Sequence, residues 1–149
     1  MSDPAMRETV IGRTSTKATS LTVGLLFLVA SCEFDSITLG KRIYQYGQGA
    51  EGYLEYQQGP DWLAQARRGC ETCHGPMGRG RSVKVGKVTG AAPPVTRSAL
   101  VERGYDAATL RRAITKGLDI TGRPMNWYMP RWQLSEKDMQ ALLRYLGTF

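Results

Sequence analysis

The hydrophobic positions of this chain fall into one early block and a series of short amphipathic runs. The block is Leu21 to Ala30, mostly apolar and preceded by Arg7, Arg13 and Lys17. As a helix it would rise only about 15 Å, half of a bilayer core of about 30 Å. It therefore reads as the apolar part of an export signal rather than a membrane span. From Pro60 onward apolar residues recur at helical spacing. Trp62, Leu63, Ala66 and Cys70 predict a helix opened by Pro60 or Asp61. Ser98 predicts a short capped turn ending near Gly104. Asp106 caps a clearer helix through Leu110, Ala113 and Ile114, closed by Gly117, with Tyr105 and Leu110 as a hydrophobic staple. The last run is the best marked. Ser135 and Asp138 give it a capping-box-like start, Leu134 and Met139 a staple, and Met139, Leu142, Leu143 and Leu146 an apolar stripe. Glu136 and Asp138 suit the positive end of that helix. Gly75–Gly80, Gly86–Pro94 and Asp119–Gln133 read as loops.

Residues 33–59 carry almost no helical period. Tyrosines and glycines dominate, and Ile43–Tyr46 could pair with Tyr53–Tyr56 as a small β-hairpin. A tether is the equal alternative. The chain thus divides into a signal segment at 1–31, an extension at 32–59 and one domain at 60–149.

Charge and cysteine usage sharpen this picture. Twenty Lys+Arg stand against 13 Asp+Glu, with a pI near 9.6. Without residues 1–31 the balance is still 17 against 11. A basic surface suits anionic membranes, acidic proteins or nucleic acid, but no nucleic-acid-binding motif is present. The apolar run ends at Val29-Ala30-Ser31-Cys32, which is similar to a bacterial lipobox, where a signal peptidase cuts and the new N-terminal Cys32 is acylated. A plain signal peptide and a buried helix are the alternatives. The other two cysteines lie in Cys70-Glu71-Thr72-Cys73-His74, so no disulfide framework is expected.

Cys-x-x-Cys-His is the attachment signature of c-type haem. Two cysteines three apart on one helical turn can each form a thioether to a haem vinyl group, and the next residue, His74, then faces the iron. A zinc site would want four ligands, and Cys70, Cys73 and the single histidine make three. A thioredoxin-type pair would want a preceding strand in a βαβ unit, and none is visible. With one histidine, bis-histidine ligation within the chain is excluded, and methionine is the usual partner. Met77 lies too close to His74 to reach the other haem face, and Met139 is explained as a core residue. Met125 and Met129 both remain.

Beyond the haem motif, Met129-Pro130-Arg131-Trp132, Leu134-Ser135, Asp138 and Leu142 to Leu146 resemble the C-terminal half of bacterial class I cytochromes c. The resemblance spans roughly 60–149. It implies an all-α cytochrome c fold of three to five short helices around one covalent haem c. It also implies that Met129, directly before proline, is the second iron ligand, with Met125 as the alternative. A proline carbonyl, from Pro93 or Pro94, should accept the Nδ1–H of His74. The helix entering the haem motif should cross the last helix, with Trp62 and Ala66 facing Tyr145 and Leu142. Trp127, Tyr128 and Trp132 should flank the ligand.

The function these residues imply is one-electron transfer between redox proteins, not catalysis, since no acid–base pair or nucleophile is evident. The expected setting is a bacterial membrane, with the protein held through lipid on Cys32 and its domain facing the periplasm. Redox partners with acidic docking surfaces would meet the basic run Arg67, Arg68, Arg79, Arg81, Lys84 and Lys87; no small-molecule substrate is expected. The alternatives are a haem subunit of a larger dehydrogenase or reductase complex, a small haem peroxidase or a gas sensor. The last two need an open or displaceable iron position.

Overall fold

A computed structural model describes residues 35–149. The signal segment and Cys32 lie outside these residues. Helix α1 covers 35–46, followed by α2 (Asp61–Gln65), α3 (Glu71–His74), strands β1 (Arg81–Val85) and β2 (Val88–Ala92), and helices α4 (Arg97–Glu102), α5 (Ala107–Lys116) and α6 (Glu136–Leu146). Among the described residues no helix is long and apolar enough to cross a membrane. The all-α expectation is corrected to a helical fold with one small antiparallel sheet.

The core forms where α1 meets α6. Leu39, Ile43 and Tyr44 of α1 are buried, as are Met139, Ala141, Leu142 and Leu146 of α6. The two helices touch at Gly40. A Cβ there would lie 2.7 Å from Tyr145 Cβ and closer still to the carbonyl oxygen of Ala141. Only a residue without a side chain allows that approach. Tyr44, Tyr145 and Phe149 surround the crossing, with ring centroids 5.1–5.6 Å apart, within the range of favourable aromatic pairs.

Three expectations are corrected here. Residues 43–46 are not a hairpin strand, because helix packing overrides the β-preference of Ile and Tyr. The extension is not a tether either, since its buried residues build the core. Nor does the helix entering the haem motif make the crossing. Trp62 is 41% exposed, and α2 stops at Gln65. Just beyond it Arg67 adopts a left-handed backbone (φ 51°) and stacks on Tyr53 at 4.6 Å. Gly69 then slides under the end of α1, where a Cβ would meet the Ile43 carbonyl oxygen at 2.5 Å. Its N–H donates to Gln45 O at 3.1 Å. The site residues that follow are thereby laid against α1.

The region expected as a loop at 86–94 is largely strand. Arg81-Ser-Val-Lys-Val alternates with Val83 and Val85 inward, and Gly86-Lys87 turns the chain back into β2. Thr96, not Ser98, caps α4 through the Ala99 N–H. The later helices behave as their sequences predict. Asp106 and Thr109 form a reciprocal capping box on α5, closed by Gly117 in the left-handed region. Ser135 caps α6, and the buried Asp138 carboxylate accepts from the Ala50 N–H (2.8 Å) and the Ser135 hydroxyl (2.7 Å), fastening the 47–54 loop to that helix.

Candidate functional site

A cavity of about 330 Å³ lies between the α1–α6 core, the hairpin and the 125–130 segment. Its walls are mainly apolar, with Leu63, Leu100, Leu110, Ile114, Leu142 and Leu146 among them. Cys70, Cys73 and His74 line it, and so do Met125 and Met129. The structure thus brings Cys70, Cys73, His74, Met125 and Met129 to one space. It also separates the methionines. Met77 is half exposed and Met139 is fully buried in the core, and neither reaches the cavity.

Local geometry on the cysteine side follows from one turn of helix. The carbonyl of Cys70 accepts from Cys73 N (3.1 Å) and His74 N (2.9 Å), which sets the two thiols on consecutive turns of the same backbone. Arg81 donates to the carbonyls of Thr72 and Glu71 and so caps this short helix. Tyr44, wholly buried, donates its hydroxyl to Gly75 O at 2.6 Å and ties the motif to α1.

His74 is buried, and its Nδ1–H donates to Pro93 O at 2.8 Å. This settles the choice between Pro93 and Pro94. The bond fixes the ring and leaves Nε2 as a bare lone pair. Burial pushes the imidazole pKa below its ordinary value, only partly opposed by the Pro93 bond, so the neutral, ligating form prevails near neutral pH.

The thiols behave in the opposite sense to a redox pair. Burial pushes Cys70 up to about 12 and also raises Cys73, whereas reactive dithiols carry lowered values. They are not joined as a disulfide. Among the described residues no three His, Cys, Asp or Glu side chains are grouped so as to hold a metal ion, and a zinc site would want four ligands. A neutral imidazole, two free thiols one helical turn apart and a methionine sulfur, all on one apolar cavity, fit a covalently attached haem.

Other expectations resolve individually. Tyr128 and Trp132 line the cavity, with Trp132 edge-to-face on Tyr56 at 5.3 Å, while Trp127 is 47% exposed and does not. Arg103 and Tyr105 also line it, with the guanidinium 5.5 Å from the ring. Sequence reasoning missed both, along with Tyr44. Only its place on an apolar helix face, four residues after Gly40, could have signalled Tyr44.

A sequence model of the family described as "Cytochrome C oxidase, cbb3-type, subunit III" matches residues 60–146, which include Cys70 to His74, Met125 and Met129 but not α1. No curated protein and no solved structure matches the chain.

Proposed function

The chain belongs to the cbb3-type cytochrome c oxidase subunit III family of c-type cytochrome domains, and we propose that it is a monohaem electron carrier with thioethers at Cys70 and Cys73 and axial ligands His74 and Met129. Membership brings a covalently bound haem c and haem-based electron transfer, that is, the uptake and release of single electrons at the iron. What the chain's own residues do is hold, orient and shield. Pro93 fixes the His74 ring, the apolar walls exclude water, and Met125 stands as the alternative sulfur ligand. The observation that carries the reading is His74, bonded to Pro93 O, on the same cavity as Cys70, Cys73 and Met129.

Covalent attachment is the test. Purified protein should keep one haem through acid–acetone extraction, and Cys70→Ala with Cys73→Ala should release it. Extractable haem in the wild type, or zinc in its place, would overturn the reading.

Location and partners extend the proposal. Acylation at Cys32 would hold the protein on a bacterial membrane with its domain toward the periplasm. Cys32→Ala should move it from the membrane fraction to a soluble or unprocessed form, and an unmodified wild type in the periplasmic wash would exclude the anchor. Arg79, Lys84 and Lys87 are exposed on and before the β-hairpin and suit a redox partner that presents carboxylates. Arg81 and Arg67 are occupied by helix carbonyls and by Tyr53. Reversing Arg79 and Lys84 to Glu should slow electron exchange and flatten its salt dependence; indifference to both would leave the basic run a solvated surface.

A second reading is a dedicated haem subunit of a larger oxidase or reductase complex, favoured by the description of the matching family. Co-purification with catalytic subunits from native membranes would select it.

A further inference from the structure

Arg131 is buried, only 7% exposed, yet among the described residues its recorded partners are all carbonyl oxygens and none is a carboxylate. Nη2 donates to Met125 O at 2.9 Å, and Nη1 donates to Asn126 O at 3.3 Å and to Met129 O. One planar fork therefore gathers three carbonyls from a five-residue stretch that contains both candidate sulfur ligands. The backbone that carries the fork is itself held. Arg131 N donates to Gln58 O at 2.9 Å, and its carbonyl accepts from Gln57 N at 3.0 Å.

Gly117 completes the seat. A Cβ on that residue would overlap the guanidinium, so the bare backbone at the end of α5 is what lets the arginine lie flat. The carbonyl of Gly117 also accepts from Met125 N at 2.7 Å. The same glycine thus ends α5, admits the clamp and anchors the loop.

We propose that Arg131 is a positioning residue for the iron–sulfur bond. It spans the 125–129 segment so that the methionine sulfur stays in the cavity against displacement by outside ligands. The inference rests on the reading of Met129, or Met125, as the axial ligand. A buried cation whose partners among the described residues are all neutral is a poor way to gain stability, since an apolar side chain of similar volume commonly does as well or better. What an apolar side chain could not do is bind three carbonyls in a fixed plane. Loops without such a tie open locally at low cost.

The test uses the ferric holoprotein and its Arg131→Lys, Arg131→Gln and Gly117→Ala variants. Each is measured for the rate of imidazole binding at the iron and for the long-wavelength methionine–iron charge-transfer band, with far-ultraviolet circular dichroism as a measure of fold. Lysine keeps the charge and loses the fork, so Arg131→Lys should bind imidazole about tenfold faster with a weakened band and unchanged helix signal, the effect of one charge-assisted hydrogen bond. Gly117→Ala should act in the same direction by unseating the guanidinium. Unchanged band and rate in both variants would overturn the proposal, and so would loss of the helix signal in step with the band in all three. A wild type with no methionine band would instead overturn the axial-ligand reading, and the clamp with it.

Discussion

The two sides of the cavity are held by different means. On the histidine side, Cys70, Cys73 and His74 sit within a single turn of helix, and each outer tie is short: His74 to Pro93 O at 2.8 Å, Tyr44 to Gly75 O at 2.6 Å, Gly80 N to His74 O at 2.9 Å. On the methionine side, residues 117–135 contain no helix or extended strand. Order there comes from scattered backbone bonds, Met125 N to Gly117 O and Arg131 N to Gln58 O among them, and from side chains reaching back to backbone, Asp119 at one end and Arg131 at the other. A site residue fixed by its neighbours in sequence is rigid by construction. A site residue held largely through the contacts of one side chain loses several of them together when that side chain moves. The methionine side should therefore yield first to mild perturbation.

The strongest challenge to this contrast is a change that both sides feel. Tyr44 of α1 and Leu142 and Leu146 of α6 all line the cavity, so the α1–α6 crossing supports both. Gly40→Ala would place a methyl group against Ala141 O and Tyr145 Cβ. The expected cost is about 3 kcal/mol, at the upper end for overpacking, with a fall of more than about 10 °C in the thermal midpoint. Both sides should loosen together. If stability stays within about 0.5 kcal/mol of wild type, α1 does not rest on α6 as described.

A smaller change should separate the sides. Tyr44→Phe removes only the bond to Gly75 O on the histidine side. The expected loss is about 1–2 kcal/mol in a denaturant titration, reflecting one buried carbonyl left without its donor. The methionine charge-transfer band should be unchanged. Weakening of the band would show that the two sides are coupled through α1.

The smallest effect belongs to the far end of the methionine loop. The Asp119 carboxylate accepts from Thr121 N and Oγ1 and from Arg123 N and Nε at 2.7–3.1 Å. The Thr121 hydroxyl, then the Arg123 N–H, hold its pKa down at about 2, against an ordinary value of 3.8. A depressed carboxylate contributes its stabilisation fully above the ordinary value and loses it as pH falls toward the folded one. Amide exchange at Thr121 and Arg123 should therefore accelerate as pH drops from about 4 to about 2, beyond the intrinsic pH trend seen in Asp119→Asn. Parallel profiles for the two proteins would mean that the carboxylate does not organise the loop.

This division also explains which parts of the molecule were legible in the sequence. Helices α5 and α6 announce themselves through Asp106, Gly117 and Ser135 because a cap is a contact across three or four residues. Cys70, Cys73 and His74 are legible for the same reason. Helix α1 was not, since Ile43, Tyr44 and Tyr46 favour strands and Gly40 weakens a helix, and only contact with Ala141 and Tyr145, a hundred residues on, reverses those preferences. The hairpin was passed over although Arg81 to Val85 alternates, because glycine and proline through Gly86–Pro94 suggest a loop. Pro93 could not be separated from Pro94, nor Met129 from Met125 by spacing alone, because each choice depends on how a loop folds back on the cavity.

The most direct test of the account is the methionine–iron charge-transfer band in Met129→Leu beside Met125→Leu, both as holoproteins with their covalent haem intact. The account predicts that Met129→Leu abolishes the band and lowers the reduction potential, while Met125→Leu keeps both. The reverse pattern would move the iron ligand to Met125, and a wild type without the band that binds carbon monoxide readily at neutral pH would contradict the saturated electron carrier proposed for this chain.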